Sequence, residues 1–139
     1  MNWKLVFTLA LFGVAMGIAA VLGFYPPSLE WLLWLIISLL CAWVIAKKAA
    51  VKPFLHGFMV GLLDGLAAPI ITVIFFSTYL ANNPSYADQA KQLPAGLDMR
   101  TFSLILAPII GVVYGLVLGL LAWLAGKIFK KPMAATPGA

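Results

Sequence analysis

Apolar residues form four long blocks along the chain, and short polar or proline-containing segments separate them. A helix that crosses the hydrocarbon core of a membrane needs about 20 mostly apolar residues. The blocks that meet this requirement cover residues 5–24, 29–46, 54–80 and 101–126. The pattern therefore predicts an all-α integral membrane protein, with one four-helix transmembrane bundle as a single domain over residues 1–131.

The segments beside the blocks predict where helices begin and end. Ser28 and Asp98 are expected to cap the second and fourth helices, because their side-chain oxygens accept free backbone N–H groups. An Asn-Pro pair predicts a short interfacial helix over residues 84–92. The first block is longer than the roughly 7–15 apolar residues of a secretory signal, so we expect it to be retained. The tail, residues 132–139, is expected to be disordered and cytoplasmic.

The composition excludes a water-soluble globular domain. Hydrophobic residues make up 64% of the chain and charged residues 9%, with a mean hydropathy of +1.07. Soluble domains are roughly half apolar and about one quarter charged, so this chain lacks the polar side chains that a soluble surface needs. The single cysteine, Cys41, lies in an apolar block, forms no internal disulfide and is expected to be a packing residue.

Basic residues are distributed unevenly around the blocks, and the net charge is +5. Most lie beside the two termini or between the second and third blocks, positions that four crossings place on one side: Lys4, Lys47, Lys48, Lys52, Lys127, Lys130 and Lys131. Only Lys91 and Arg100 fall on the other side. Because cytoplasmic segments carry an excess of basic residues, both termini are predicted to be cytoplasmic. The charge thus indicates orientation in a lipid bilayer and no nucleic acid partner.

Glycines recur every four residues in three of the blocks. The series are Gly13 and Gly17; Gly57, Gly61 and Gly65; and Gly111, Gly115 and Gly119. Residues four apart share a helix face, and glycine there lets two helices approach closely inside a membrane. The second and third series match in depth if their helices run antiparallel. We therefore expect them to pack together in one protomer; the alternative is that one series faces a second protomer in a homodimer.

Pro69 and Pro108 lie within two Ala-Pro-Ile-Ile segments, in the outer halves of the third and fourth blocks. Proline removes one helical hydrogen bond, so both positions predict helix kinks. The freed carbonyls need partners or water. Two interpretations follow: the kinks bend the helices around their neighbours, which we prefer, or they line a cavity that opens toward the outer face.

Asp64 is the one ionisable residue deep inside a predicted span, about 15 Å from its cytoplasmic end. A charge at that depth costs at least about 2.5 kcal/mol on insertion scales, and such residues often mark a functional pathway. Asp64 is thus either a proton-exchanging carboxyl or a neutral carboxyl that joins helices by hydrogen bonds. The polar side chains expected at similar depth are those of Tyr114, Ser38 and Thr72.

His56 lies eight residues before Asp64, close to the predicted cytoplasmic interface. We interpret it as an interfacial histidine beside lysines; the alternative is the start of a proton path to Asp64. One histidine and one cysteine cannot form a metal site within a protomer. Phosphate-binding loops, nucleophile motifs and zinc-ligand spacings do not occur, so we expect no metal, no cofactor and no enzyme.

Three segments in the last 80 or so residues carry a resemblance. They are Phe54-Leu55-His56-Gly57-Phe58-Met59-Val60-Gly61, then Tyr79 with Asn83-Pro84-Ser85-Tyr86, and a glycine-rich helix that ends in Lys127-Ile128-Phe129-Lys130-Lys131. Together they resemble small four-helix bacterial membrane proteins that are classified only as a domain of unknown function. The resemblance implies a bacterial inner-membrane location and no assigned activity.

These observations favour a non-catalytic membrane protein, either a self-associating bundle or an accessory subunit of a larger complex. The alternative is a small oligomeric transporter or channel for protons, cations or small solutes that uses Asp64. A holin-like pore is a third reading, since the chain is small and ends in a basic segment. The candidate functional residues within the membrane are Asp64, His56 and Tyr114.

Overall fold

The computed structural model describes residues 1–49 and 51–129, and its regular structure there is entirely α-helical. The helices are α1 (Trp3–Leu9), α2 (Leu11–Leu22), α3 (Pro27–Lys48), α4 (Pro53–Ile74), α5 (Phe76–Asn82), α6 (Pro84–Ala90) and α7 (Met99–Phe129). Within the described residues, four segments are long and apolar enough to cross a membrane: α1 with α2, α3, α4, and α7. The four predicted segments of membrane length are thereby confirmed. The predicted tail, residues 132–139, lies outside the described residues.

The helices α4 and α7 form the central pair and run antiparallel. α2 packs against α4, α3 packs against α7, and the short α1 contacts both α3 and α4. Around α2 the helices pack less closely. α2 contacts α4 and α5, α3 contacts α7, and a cavity lies between α2 and α3. The break between α1 and α2 therefore separates a closed half of the molecule from an open half.

The apolar core lies in the half of the molecule that contains α1. Val6, Cys41, Ile45, Val60 and Leu118 are each completely buried there. These residues come from α1, α3, α4 and α7, so this one cluster joins all four segments of membrane length. Cys41 is a buried free thiol within it.

The structure has two distinct ends. At the basic end, the Asn2 backbone N–H donates to a His56 ring nitrogen at 2.9 Å, and Lys47 Nζ lies 5.8 Å from the centre of the Phe129 ring. The opposite end, called the loop end here, holds the α2–α3 connection, α6 and the start of α7. α6 is the short helix predicted at residues 84–92, and it ends two residues earlier than predicted.

The first predicted helix is not continuous, because a turn at Ala10 separates α1 from α2. Thr8 Oγ1–H donates to the Lys4 carbonyl at 2.7 Å, and such a bond from threonine to the preceding turn bends a helix. The first predicted span, over residues 5–24, is thus confirmed as a segment of membrane length at Trp3–Leu22, and it is built from α1 and α2 with a turn between them.

The third predicted helix is shorter than expected at the loop end. α4 ends at Ile74, and Phe75 leaves the helical conformation (φ −104°, ψ 38°) before α5 begins. Pro69 has no N–H to donate, and the Thr72 hydroxyl donates to the Pro69 carbonyl at 2.8 Å. α4 stays helical past Pro69, and the Phe75 N–H still donates to the Ile71 carbonyl at 3.1 Å, so the single helix expected over residues 54–80 is instead two helices, α4 and α5, with the break at Phe75.

The two predicted caps differ in outcome. Ser28 does not cap α3, because α3 begins one residue earlier at Pro27 and its capping residue, Pro26, makes no side-chain bond. Proline is favoured at the first helical position, where no N–H bond is needed. Asp98 does cap α7, since its Oδ1 accepts the Thr101 N–H at 2.7 Å.

Candidate functional site

The glycines of α4 face those of α7 at backbone contact distance. A Cβ placed on Gly61 would lie 2.7 Å from Gly115 Cα, and one placed on Gly65 would lie 2.5 Å from Gly111 Cα. Backbone atoms cannot yield as a flexible side chain can, so any residue larger than glycine would push the two helices apart.

The same contact continues toward the basic end. A Cβ on Gly57 would lie 2.6 Å from the Leu118 carbonyl oxygen, and one on Gly119 would lie 3.0 Å from the Phe54 carbonyl oxygen. The structure thus places the two glycine series against each other inside one protomer. They are covered there and offer no surface to a second protomer.

Asp64 is bound by α2. Its side chain is 0% exposed, and the Gly13 backbone N–H donates to Asp64 Oδ1 at 2.9 Å. Gly13 lies in the first turn of α2, where backbone N–H groups have no acceptor within their own helix. A Cβ on Gly13 would lie 2.5 Å from Asp64 Cα, and one on Gly17 would lie 3.1 Å from Ala68 Cα. Asp64 therefore caps α2 from a neighbouring helix, and the glycines of α2 permit the approach.

The polar residues expected beside Asp64 bond elsewhere. The hydroxyls of Ser38 and Tyr114 lie 2.8 Å apart; Ser38 donates to the Trp34 carbonyl at 2.7 Å, so Tyr114 is the donor to Ser38. Thr72 bonds within its own helix. The structure does not bring these three side chains to Asp64, whose Oδ2 is buried without a hydrogen-bond partner among the described residues.

His56 is 2% exposed and both of its ring nitrogens are occupied. Nε2 accepts the Asn2 backbone N–H at 2.9 Å, so Nδ1 carries the proton and donates to the Lys52 carbonyl, also at 2.9 Å. This neutral imidazole holds the start of the chain against the start of α4. The histidine expected at the interface is thus a buried structural residue, and it makes no hydrogen bond to Asp64.

Two asparagines hold the loop-end terminus of α2. Asn83 Nδ2–H groups donate to the carbonyls of Ala20 and Tyr79, both at 2.8 Å, and Asn82 Nδ2–H donates to the Val21 carbonyl at 2.8 Å. The last carbonyls of a helix have no partners within it. Asn82, the last residue of α5, and Asn83, which follows it, supply partners from outside α2. The Ala20 carbonyl also accepts the Gly23 N–H at 3.1 Å, and Gly23, at φ +69°, turns the chain away from α2.

A cavity of about 390 Å³ occupies the open half of the structure. Small-molecule sites commonly have volumes of roughly 300–1,000 Å³ and mostly apolar walls. Met16, Ala68, Leu106 and Ile110 contribute apolar surface to this cavity. Pro69 also lines the cavity, whereas Pro108 does not. The alternative interpretation from the sequence, in which the prolines line a cavity, therefore applies to Pro69 alone.

Aromatic rings and one carboxylate surround the loop end of the cavity. The aromatic residues that line the cavity are Tyr25, Trp34, Tyr79, Tyr86, Phe102 and Tyr114, of which Tyr25, Tyr79 and Tyr86 lie with the carboxylate at the loop end. Tyr79 and Tyr86 stack with their ring centres 5.4 Å apart, and Trp34 meets Tyr114 edge to face at 5.1 Å. The carboxylate is Glu30, which accepts a hydrogen bond from the Tyr86 hydroxyl at 3.1 Å.

The charge of Glu30 adds to the effect of burial on the tyrosines at the loop end of the cavity. Burial, followed by the negative charge of Glu30, raises the pKa of both Tyr25 and Tyr86. Burial, Tyr86 and Glu30 together raise the pKa of Tyr79 in the same direction. The three hydroxyls therefore remain protonated at neutral pH, and the carboxylate is the one formally charged side chain in the lining.

Sequence reasoning missed both the Gly13–Asp64 bond and the role of Glu30. A backbone N–H leaves no trace in the residue pattern, so the capping partner of Asp64 was not detectable. Glu30 lies in the first turn of α3, where an acidic residue is favourable at any helix start and does not by itself indicate a cavity. The available signal was the position of Tyr25, Tyr79 and Tyr86 near block ends, but aromatic residues at an interface also simply mark the end of a span.

Comparisons with known proteins give no relative: no protein-family model, no curated protein and no solved structure matches the chain.

Proposed function

We propose that the chain is a non-catalytic multi-pass protein of a bacterial inner membrane and serves as an accessory subunit of a larger membrane complex. The observation that carries the proposal is the state of Asp64, which is fully buried and caps α2 through the Gly13 N–H. A carboxyl held in this way joins two helices. Its complete burial supports a structural role over a path for protons or cations.

The proposed topology is a four-helix bundle with both termini in the cytoplasm. Among the described basic residues, Lys4, Lys47, Lys48, Lys52 and Lys127 belong to the basic end, while Lys91 and Arg100 belong to the loop end. The positive-inside rule then favours a cytoplasmic basic end. A cysteine-labelling experiment with a membrane-impermeant reagent tests this: in a Cys41→Ala background, Ser85→Cys should react from outside and Lys48→Cys should not.

The glycine contacts favour a foreign partner over self-association. Both triple series are already covered within one protomer, so a homodimer would need another surface. Native mass spectrometry of the complex released gently from membranes, at natural expression level, tests the proposal. We expect a foreign subunit in fixed stoichiometry. A closed homo-oligomer with nothing else bound would contradict it and would favour the transport alternative.

That alternative, a small transporter or channel that uses Asp64, makes a separate prediction. Proton or cation flux into liposomes that contain the purified protein should then be lost in Asp64→Asn. Burial of Asp64 within one protomer counts against this result. We expect no flux above empty liposomes for either the original chain or the variant.

A further inference from the structure

The cavity at the loop end has the features of a binding site for a positively charged organic molecule. Glu30 is the one formally charged group in its lining, and no basic side chain lies within ion-pair distance of it in the part of the chain that the structure describes. A carboxylate next to an apolar cavity favours a cation there, because the cation replaces interactions that the carboxylate would otherwise make with water. An anionic ligand would meet repulsion from Glu30 and no compensating charge.

The aromatic residues strengthen this preference. The face of an aromatic ring is negative, and rings around a cavity attract ammonium groups by cation–π interaction. Tyr25, Tyr79 and Tyr86 all line the cavity with Glu30, and the Tyr86 hydroxyl orients the carboxylate by its bond at 3.1 Å. Since the hydroxyls stay protonated, the tyrosines act as neutral rings.

The rest of the cavity is suited to an apolar body. Met16, Ala68, Pro69 and Ile110 line it and belong to the segments of membrane length, and the Tyr25 hydroxyl donates to the Met16 carbonyl at 3.5 Å. The volume of about 390 Å³ accommodates a small molecule rather than a single ion. Apolar side chains and one carboxylate in the lining of the same cavity suit an amphipathic ligand.

We infer that this cavity binds an amphipathic organic cation, a quaternary or protonated ammonium group carried on an apolar body. Its charged group lies beside Glu30 and the rings of Tyr25, Tyr79 and Tyr86. Two sources supply this chemistry, a free amine or the amino head group of a membrane lipid. The inference does not depend on the accessory-subunit proposal, because the cavity lies within one protomer.

Calorimetric titration of the purified full-length protein in a neutral detergent tests the inference. The probes are benzyltrimethylammonium, the neutral N,N-dimethylbenzamide and the anion benzenesulfonate, which are similar in size. We expect the cation to bind at least about tenfold more tightly than the neutral amide, and the anion not to bind. Equal affinity for the cation and the amide, or no binding of the cation, would overturn the inference.

Substitutions locate the binding. Glu30→Gln keeps an acceptor for Tyr86 but removes the charge, so it should weaken cation binding at least about tenfold and leave binding of the amide within about twofold. Tyr79→Leu should weaken cation binding severalfold, whereas Tyr79→Phe, which keeps the ring, should not. If cation affinity is unchanged in both Glu30→Gln and Tyr79→Leu, the cavity is not the site and the inference fails.

Binding measurements in lipid nanodiscs distinguish the two sources of the ammonium group, a free amine and a lipid head group. One set contains phosphatidylglycerol alone, and the other also contains phosphatidylethanolamine, whose head group carries a protonated amine. If a lipid head group is the natural occupant, phosphatidylethanolamine should lower the apparent affinity for benzyltrimethylammonium by competition. Equal affinity in the two lipid mixtures assigns the cavity to a free amphipathic cation.

Discussion

Gly13 and Asp64 form a contact that requires a side-chain acceptor at position 64 and glycine at position 13. The Gly13 N–H donates to Asp64 Oδ1 at 2.9 Å, and a Cβ on Gly13 would lie 2.5 Å from Asp64 Cα. α2 begins inside the span, so its first N–H groups need acceptors where water is absent. The carboxyl supplies one acceptor, and only glycine lets the two backbones come close enough for the bond.

The capping role predicts which substitutions Asp64 tolerates. Asp64→Asn keeps an oxygen acceptor for the Gly13 N–H, and we expect it to change the free energy of unfolding by no more than about 1 kcal/mol. Asp64→Leu removes the acceptor and leaves a buried N–H unpaired, which should destabilise the protein by about 1–3 kcal/mol. Unfolding in mixed detergent micelles measures both variants.

Hydrogen exchange provides the matching control for this prediction. The Gly13 amide should exchange faster in Asp64→Leu than in Asp64→Asn, while amides in the middle of α7 should exchange equally in the two variants. Equal protection of Gly13 in both variants would show that the carboxyl does not hold this N–H.

The contact between α4 and α7 predicts a sharp difference between two glycines. A Cβ at Gly65 would lie 2.5 Å from Gly111 Cα, so Gly65→Ala forces backbone apart and should cost about 1–3 kcal/mol. Gly126→Ala is the matched control, because its Cβ would lie 3.3 Å from Pro53 Cγ, a side-chain atom. Alanine is a better helix former than glycine, so Gly126→Ala should be neutral or stabilising by up to about 1 kcal/mol. Similar losses for the two variants in micelle unfolding would contradict this account.

Hydrophobic block length was enough to predict the four segments of membrane length, because the requirement for about 20 apolar residues is simple and strong. It was not enough to place breaks within them. The turn at Ala10 depends on a threonine bond in the preceding turn and on a carboxyl from another helix, and neither affects hydropathy. The end of α4 at Ile74 likewise leaves no trace in hydropathy, because the apolar block continues through Phe75 and Phe76.

Side-chain partners were the least predictable feature of the candidate site. Depth along a helix placed Asp64 near Tyr114 and Ser38, but depth does not specify which face of a helix a neighbour presents. The structure pairs Tyr114 with Ser38 and gives Asp64 a backbone partner instead. A cavity beside the prolines was one of two interpretations of the sequence, but its lining could not be predicted, since it results from α2 and α3 packing on different neighbours.

Substitution of the two asparagines at the loop end should lower the free energy of unfolding by different amounts. Asn83→Asp keeps the size of the side chain but removes both N–H donors to the Ala20 and Tyr79 carbonyls, and Asn83 is only 6% exposed. We expect a loss of about 1–3 kcal/mol in the free energy of unfolding. Asn82→Asp removes one donor at an exposed residue and should cost less, because water replaces the lost bond. A larger effect for Asn82→Asp would show that Asn83 does not hold the end of α2.

The start of α7 predicts a local dependence on pH. Hydrogen bonds from the Thr101 backbone and side chain lower the pKa of the exposed Asp98 carboxyl below its ordinary value of about 3.9. A lowered folded-state pKa means that the ionised carboxyl stabilises this helix start above about pH 3.9 and that the contribution disappears as the pH falls through the folded value. The chemical shift of the Thr101 amide, followed by NMR in detergent, should therefore titrate with a midpoint below 3.9 or so. Asp98→Asn retains a capping oxygen without a titrating group, so its Thr101 amide should show no such transition. A midpoint at or above the ordinary carboxyl value would mean that Asp98 does not cap α7 in its ionised form.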